Sequence, residues 1–320
     1  MKIPGRMTTW GFPRDRNRWM RPVLALIIFL VAFLPRAIYP VSRPFQWYTR
    51  SVMFVDSVAR GAWGETVYSE HPGVTTMWLS GAALRAAGVV PEQRPDGPYV
   101  DPESLTARES AIGVLPLALA IAAFIVLSYL LLARLFGYAA AFCAAWLVAL
   151  DPFFIANSKV LHVDGLLVAA MSTSALALLV YVRERRLRWM ILSGVLGGLA
   201  LLTKSPALFL VPYTALCLGV SALADRAVDW PRSLLAGLVW LVVLGLVYWA
   251  LFPAMWVAPE IEGIGVRPTD TQRRALVHGL ERVHRGHPHG REQHPIDRAQ
   301  DQQPHQPGQK GPAPVHRPLD

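Results

Sequence analysis

The chain has 320 residues, of which 53% are hydrophobic and 17% are charged. This composition excludes an ordinary soluble domain and favours a protein that crosses a membrane several times. The net charge of +9 does not indicate nucleic-acid binding, because the Lys and Arg residues lie mainly at the ends of apolar segments and in the tail, where they orient a membrane protein.

Seven apolar segments predict an all-α polytopic bundle, since a span needs about 20 residues. A basic cytoplasmic tail at 1–21 precedes a transmembrane domain at 22–259, which includes a long polar loop at 40–108. The predicted spans run over residues 22–39, 111–132, 138–154, 162–182, 189–202, 207–223 and 234–252.

The loop at 40–108 contains two short helical patterns. Residues 50–60 carry apolar side chains at helical spacing and predict an amphipathic helix in the membrane interface. Residues 75–87 predict a second helix that is too short to span and lies on or dips into the membrane. Between them stands Glu70-His71-Pro72-Gly73-Val74-Thr75-Thr76, which places a carboxylate and an imidazole just before a helix start.

Basic residues set the predicted orientation. The positive-inside rule places the N-terminal tail in the cytoplasm, and counting spans puts Arg134, the run at 183–188, Arg226 and Arg232 on the same side. We therefore expect an integral, multi-pass protein of a bacterial-type plasma membrane. The same count places four segments on the outer face, namely 40–108, 151–161, 203–206 and everything after 252.

The predicted outer face gathers ionisable groups from distant parts of the chain: Glu70, His71, Asp151, Lys159, His162, Asp164 and Lys204. Most of them have a simple structural interpretation, and Asp151 before Pro152 is most simply the end of a span. Asp164 and His162 suit a solvated helix start, Lys204 suits a lysine that snorkels to the interface, and Glu70-His71 suits a turn that caps a helix. Together they suit a reaction in which a lipid-linked phosphate leaves, because cations stabilise the phosphate and a carboxylate deprotonates an acceptor hydroxyl.

The composition changes after residue 259. Seven of the nine histidines fall within 260–320, together with many Pro, Gln and Gly residues. Such a segment buries too little apolar surface to fold alone. A metal site at His284, His287, His289 and His294 is one interpretation. A disordered tail or a translated wrong reading frame is simpler, because the spacing matches no zinc pattern.

Several short stretches also resemble one family and occur in the family's order. They are Gly61-Ala62-Trp63, Glu70-His71-Pro72-Gly73, Leu135-Phe136-Gly137, Leu150-Asp151-Pro152-Phe153, His162-Val163-Asp164-Gly165, Thr203-Lys204-Ser205-Pro206 and Phe252-Pro253-Ala254-Met255-Trp256. Residues 22–259 thus resemble the GT-C membrane glycosyltransferases that use polyprenyl-phosphate sugars, the protein O-mannosyltransferase-like and aminoarabinose-transferase-like group.

The resemblance implies inverting transfer of a sugar from a polyprenyl-phosphate donor to a hydroxyl of a protein, lipid or glycan, at the outer membrane face. By likeness, Glu70 matches an acidic residue near the catalytic centre. His71 and Lys204 match positions that meet the lipid phosphate. Asp164 matches an acidic position associated with a metal ion or the donor phosphate.

These inferences give a predicted set of site residues. Glu70, Asp56 and Asp164 are the catalytic candidates, and His71, Lys204 and His162 are the candidates for binding the lipid phosphate. A divalent cation, Mg²⁺ or Mn²⁺, would be held by Asp164 and Glu70.

Two departures from the family pattern leave alternatives open. The family commonly has an acidic residue at the outer end of the first span, whereas residues 41–50 contain none, so Asp56, Glu65 or Glu70 acts as the base or the chain is a non-catalytic remnant. Family members are also longer, which predicts a truncated or frameshifted gene after residue 259. A lipid or solute transporter is the third hypothesis, disfavoured because the sequence shows no internal repeat and no charges at mid-span.

Overall fold

The computed structural model describes residues 19–38, 45–69, 72–95, 97–101, 103–224 and 230–257. Within these residues the chain is almost entirely helical, with short 3-10 turns and one small antiparallel hairpin that pairs β1 (Glu92–Arg94) with β2 (Gly97–Tyr99). The helices are α1 (Met20–Ala37), α2 (Phe45–Ala59), α3 (Val74–Ala86), α4 (Ala107–Phe136), α5 (Tyr138–Leu150), α6 (Pro152–Ser158), α7 (Asp164–Glu184), α8 (Leu187–Thr203), α9 (Leu210–Ala224) and α10 (Trp230–Leu251).

Five of the described helical segments are long and apolar enough to cross a membrane, and the bent pair α5–α6 makes a sixth if it counts as one span. α8 is apolar but has only 17 residues, in agreement with the short fifth apolar segment of the sequence. The predicted all-α polytopic membrane protein is therefore confirmed. The five segments are Met20–Ala37, Ala107–Phe136, Asp164–Glu184, Ser205–Ala224 and Trp230–Leu251.

The predicted span at 138–154 is broken at its end. α5 and α6 meet at an angle of 57°. Asp151 stands between them, and its Oδ1 accepts a hydrogen bond of 2.6 Å from the backbone N–H of Phe154. Pro152 then occupies the first turn of α6, where its missing N–H costs nothing. Asp151 therefore ends one helix and caps the next, as the Asp-Pro pair predicts.

One end of the bundle is basic. Arg134 Nη1 lies 3.0 Å from Glu184 Oε1, and Trp189 Nε1 donates to the same carboxylate at 2.9 Å. Arg183 donates to the carbonyls of Arg134 and Leu135, the last carbonyls of α4, which have no partner within the helix. These contacts bring together the end of α4, the end of α7 and the start of α8, as an alternating topology requires.

At the opposite end of the bundle, the end of α1 contacts the end of α5, and the end of α8 contacts the start of α7. Arg36 of α1 is fully buried and donates to the carbonyl of Ala149 in α5 at 2.9 Å. Lys204, which follows α8, contacts Asp164, the first residue of α7. The helices thus alternate in direction as the sequence predicts. The assignment of this end to the outer side rests on the positive-inside rule.

The two helices of the long loop are packed into the bundle. α2 begins five residues before the predicted helix at 50–60, and its Trp47, Phe54 and Val55 are buried. α3 matches the helix predicted at 75–87 and crosses α2 closely. A Cβ at Gly81 would lie 2.3 Å from the carbonyl oxygen of Ser51, so only glycine permits this crossing. α2 is therefore held by packing as well as by its amphipathic pattern.

The close packing of α8 against α10 also depends on a glycine. A Cβ at Gly198 would lie 2.8 Å from Val247 Cβ and 2.9 Å from the carbonyl oxygen of Leu244. We expect Gly198→Ala to lower the free energy of unfolding by about 1–3 kcal/mol, the usual cost of overpacking. Thermal unfolding of the detergent-solubilised protein measures the change. Gly245→Ala is the matched control, because nothing lies within 4 Å of its added Cβ. An equal loss in both variants would contradict the close α8–α10 contact.

Candidate active site

An ion pair between α7 and the end of α8 is the centre of the candidate site. Lys204 Nζ lies 2.8 Å from Asp164 Oδ1, and the two residues are 40 positions apart in the sequence. The side chains are 24% and 43% exposed, so solvent and lipid headgroups reach them. A pair this exposed contributes about 0–1 kcal/mol to stability. Its main consequence is that an ammonium group is held at a fixed place near the bundle end.

His162 lies beside the same carboxylate. Its Nδ1 is 3.2 Å from Asp164 Oδ2 and accepts a bond of 3.3 Å from the backbone N–H of Asp164. Burial lowers the pKa of His162, and the charges of Lys204 and Arg50 lower it further, whereas Asp164 raises it. The neutral imidazole is therefore favoured at neutral pH. When its Nδ1 accepts, its Nε2 carries the proton and is a hydrogen-bond donor.

α2 contributes an aromatic and a cationic group. The edge of the Trp47 ring meets His162, with ring centroids 6.1 Å apart and an interplanar angle of 82°. The guanidinium of Arg50 lies 5.0 Å from the centre of the Trp47 ring. Arg50 is a candidate site residue that the sequence analysis does not predict, because its role depends on the position of Trp47 and on the tertiary contact of α2 with His162. The available signal was its position three residues after Trp47, which places both on one helix face.

The turn before α3 packs between α2 and α8. Gly73 has a φ of +59°, and a Cβ there would lie 2.1 Å from the Trp47 ring. Its N–H donates to the carbonyl of Thr203 at 3.1 Å, next to Lys204, and Thr75 Oγ1 donates to the carbonyl of Leu199 at 3.0 Å. Glycine is required here both by the left-handed backbone and by the ring. The turn is thereby fixed against the residue that carries the ion pair.

Glu70 and His71, the residues just before this turn, lie outside the described residues. Their predicted roles stay predictions. Pro72, which follows them directly, is part of the turn that contacts the end of α8.

Asp56 has a different environment from Asp164. It is 7% exposed, and its carboxylate lies 2.7 Å from Arg60 Nε and 3.6 Å from Arg85 Nη1. The second contact joins α2 to α3, and Glu65 is 3.2 Å from Arg60 as well. The structure thus gives Asp56 two arginine partners, while its predicted catalytic role stays untested.

Two further motifs also meet at this end. The rings of Trp63 and Trp256 are 5.2 Å apart, so the Gly61-Ala62-Trp63 stretch contacts the Phe252–Trp256 stretch. Trp78 Nε1 donates to the carbonyl of Leu251 at 2.8 Å. Stretches separated by almost 200 residues therefore pack together, which local sequence patterns alone do not require.

The described part of the site carries more positive than negative groups. Asp164 contacts the Lys204 ammonium and the His162 imidazole, and Arg50 lies close enough to His162 to lower its pKa. Among the described residues no group of three or more His, Cys, Asp or Glu side chains is placed to hold a metal ion. A carboxylate that already forms an ion pair with a lysine ammonium is a poor ligand for a divalent cation. The predicted Mg²⁺ or Mn²⁺ site at Asp164 and Glu70 stays a prediction, since Glu70 is not described.

Part of the chain is similar to a known family. Residues 104–249 match the sequence model of the dolichyl-phosphate-mannose-protein mannosyltransferase family, a little under half of the chain. The match includes His162, Asp164 and Lys204 but not α2 or α3. No curated protein gives a significant match to the chain. The similarity supports the predicted GT-C-like superfamily and, with the apolar helices, a membrane-embedded glycosyltransferase.

His162 should make the stability of the fold depend on pH. Its pKa is lowered in the folded state, so the unfolded chain binds the proton more readily. The stabilising contribution is complete above the unfolded pKa of about 6.5 and is lost as the pH falls below it. We expect the thermal unfolding temperature to decrease when the pH is lowered from 7.5 to 5. The decrease should be smaller in His162→Gln than in the unmodified protein. An identical pH dependence in both proteins would show that His162 is not the group responsible.

Proposed function

We propose that this protein transfers a sugar from a polyprenyl-phosphate donor to an acceptor hydroxyl at the outer membrane face. The observation that carries the proposal is the Lys204 ammonium held by Asp164, with His162 beside the same carboxylate, at the end of a membrane bundle and within the segment similar to mannosyltransferases. A lipid-linked phosphate lies at the membrane interface, which is where the ends of α7 and α8 are expected to be.

Lys204 is proposed to bind the donor phosphate. Asp164 holds its ammonium at the end of α8, and that ammonium has two further N–H donors. A phosphate oxygen can accept one of them without breaking the ion pair. As the sugar leaves, negative charge grows on the phosphate, so this contact becomes stronger in the transition state than in the ground state.

Arg50 and His162 are proposed to complete the phosphate site. The cation–π contact with Trp47 positions the guanidinium near His162, whose pKa it helps to lower. A neutral His162 offers an Nε2–H donor without adding a third full charge. Trp47 itself is buried against Gly73 and keeps this part of the site rigid.

Glu70 is proposed as the general base. Its carboxylate takes the proton of the acceptor hydroxyl while the hydroxyl oxygen attacks C1 of the sugar from the face opposite the phosphate. The C1–oxygen bond to the phosphate breaks, and its electron pair leaves with the polyprenyl phosphate. One displacement of this kind inverts the configuration at C1.

Loss of either member of the ion pair should abolish most of the transfer. We expect Lys204→Met and Asp164→Asn to lower the turnover of labelled polyprenyl-phosphate mannose in proteoliposomes with acceptor extract by about 10²-fold, the usual cost of losing one group that stabilises developing charge. Lys159→Met removes the same charge from the end of α6 but leaves the ion pair between Lys204 and Asp164 in place, and should retain activity. Undiminished transfer in both Lys204→Met and Asp164→Asn would sink the proposal.

The two candidate bases can be separated. Glu70→Gln should reduce transfer to near background while leaving thermal stability close to that of the unmodified protein. Asp56→Asn should retain transfer and lower the thermal stability, because it weakens the contact with Arg85 that joins α2 to α3 and the contact with Arg60 at the end of α2. Full activity in Glu70→Gln, combined with loss of activity but normal stability in Asp56→Asn, would assign the base to Asp56 instead.

A further inference from the structure

A lipid-sized groove lies between α9 and α10, on a different part of the bundle from the candidate active site. Its volume is about 350 Å³, and its lining is almost wholly apolar. Leu218 and Gly219 line it from α9, and Leu234, Gly237 and Leu241 line it from α10. Both helices belong to segments long and apolar enough to span, so the natural contents of an apolar groove here are lipid chains.

The basic end of the groove carries a cation. Thr214, Leu218 and Ser221 follow one face of α9 at the spacing i, i+4, i+7, and Ser221 accepts a hydrogen bond from Arg185 Nη2. Ser221 is thus about one turn, roughly 5 Å, beyond the groove-lining Leu218. Trp230, at the start of α10, lines the groove and is the residue type that favours the membrane interface.

Arg185 is also held in an unusual backbone conformation. Its φ of 55° makes it the one non-glycine residue with positive φ among the described residues. It ends α7 with a left-handed turn, a position that helices usually give to glycine. An arginine at this position therefore brings a positive charge to Ser221, where a glycine would provide none.

We propose that the groove between α9 and α10 binds an anionic phospholipid from the leaflet at the basic end. One acyl chain fills the groove, and the phosphate meets Arg185. The basic end favours an anionic headgroup, since Arg134, Arg186 and Arg188 share the single described carboxylate there, Glu184, while Arg183 and Arg185 bond to uncharged groups. The site is independent of the proposed transfer reaction.

Native mass spectrometry of the purified full chain tests this site with three lipids: phosphatidylglycerol, phosphatidylcholine and a polyprenyl phosphate. We expect retention of phosphatidylglycerol over phosphatidylcholine, and a loss of about tenfold in Arg185→Gln, as for a charge-assisted hydrogen bond. Arg188→Gln is the matched control, because it removes the same charge from the same end while its side chain stacks on Trp189. Equal losses in both variants would show only general attraction to the basic end and overturn the proposal.

A second pair of variants tests the groove itself. Gly219→Leu should block phosphatidylglycerol without disturbing the fold, because Gly219 lines the groove and nothing lies within 4 Å of its added Cβ. Gly245→Leu, equally open but outside the groove lining, should bind as the unmodified protein does. Normal phosphatidylglycerol retention in Gly219→Leu, or a fall in polyprenyl phosphate retention as large as the fall in phosphatidylglycerol retention, would overturn the assignment.

Discussion

The ion pair between Asp164 and Lys204 is the contact on which the candidate site depends. It requires that α7 begins and α8 ends at the same end of the bundle, which in turn requires that α8 crosses back despite its 17 residues. The pair adds little stability because both side chains are partly exposed. Its main effect is to hold the Lys204 ammonium at a fixed place near the end of the bundle. His162 contacts the same carboxylate, and Gly73 donates to the carbonyl of Thr203, so α2 and the turn before α3 are placed around one fixed cation.

The two ends of the bundle use positive charge differently. At the end with Lys204, the cations beside Asp164 are held by a carboxylate and an aromatic ring, which suits the proposed phosphate site. At the other end, several arginines are exposed and Glu184 is shared among Arg134, Arg186 and Arg188, which suits a membrane surface. The fold thus places the proposed phosphate site and the arginine-rich end at opposite ends of a single set of spanning helices.

The sequence predicted the spanning helices well because hydropathy reports directly which residues can face lipid. Counting basic clusters also predicted which helix ends meet, and the contacts of Lys204 and of Arg134 agree. The details of α2 were harder. Its burial, the stacking of Arg50 on Trp47 and the pairing of Asp56 with two arginines depend on the tertiary contacts of a long loop, and no local periodicity encodes them. Glu70 and His71, central to the sequence prediction, lie outside the described residues.

The most direct test is the contribution of Lys204 to phosphate recognition, measured as binding rather than turnover. The dissociation constants of polyprenyl phosphate and of the uncharged polyprenol are compared for the unmodified protein and for Lys204→Met. We expect the unmodified protein to prefer the phosphate by at least about tenfold, since a hydrogen bond to a charged group contributes about 1.5–3 kcal/mol, and Lys204→Met to lose most of that preference. An undiminished preference for the phosphate in Lys204→Met would contradict a phosphate site built on the Asp164–Lys204 pair.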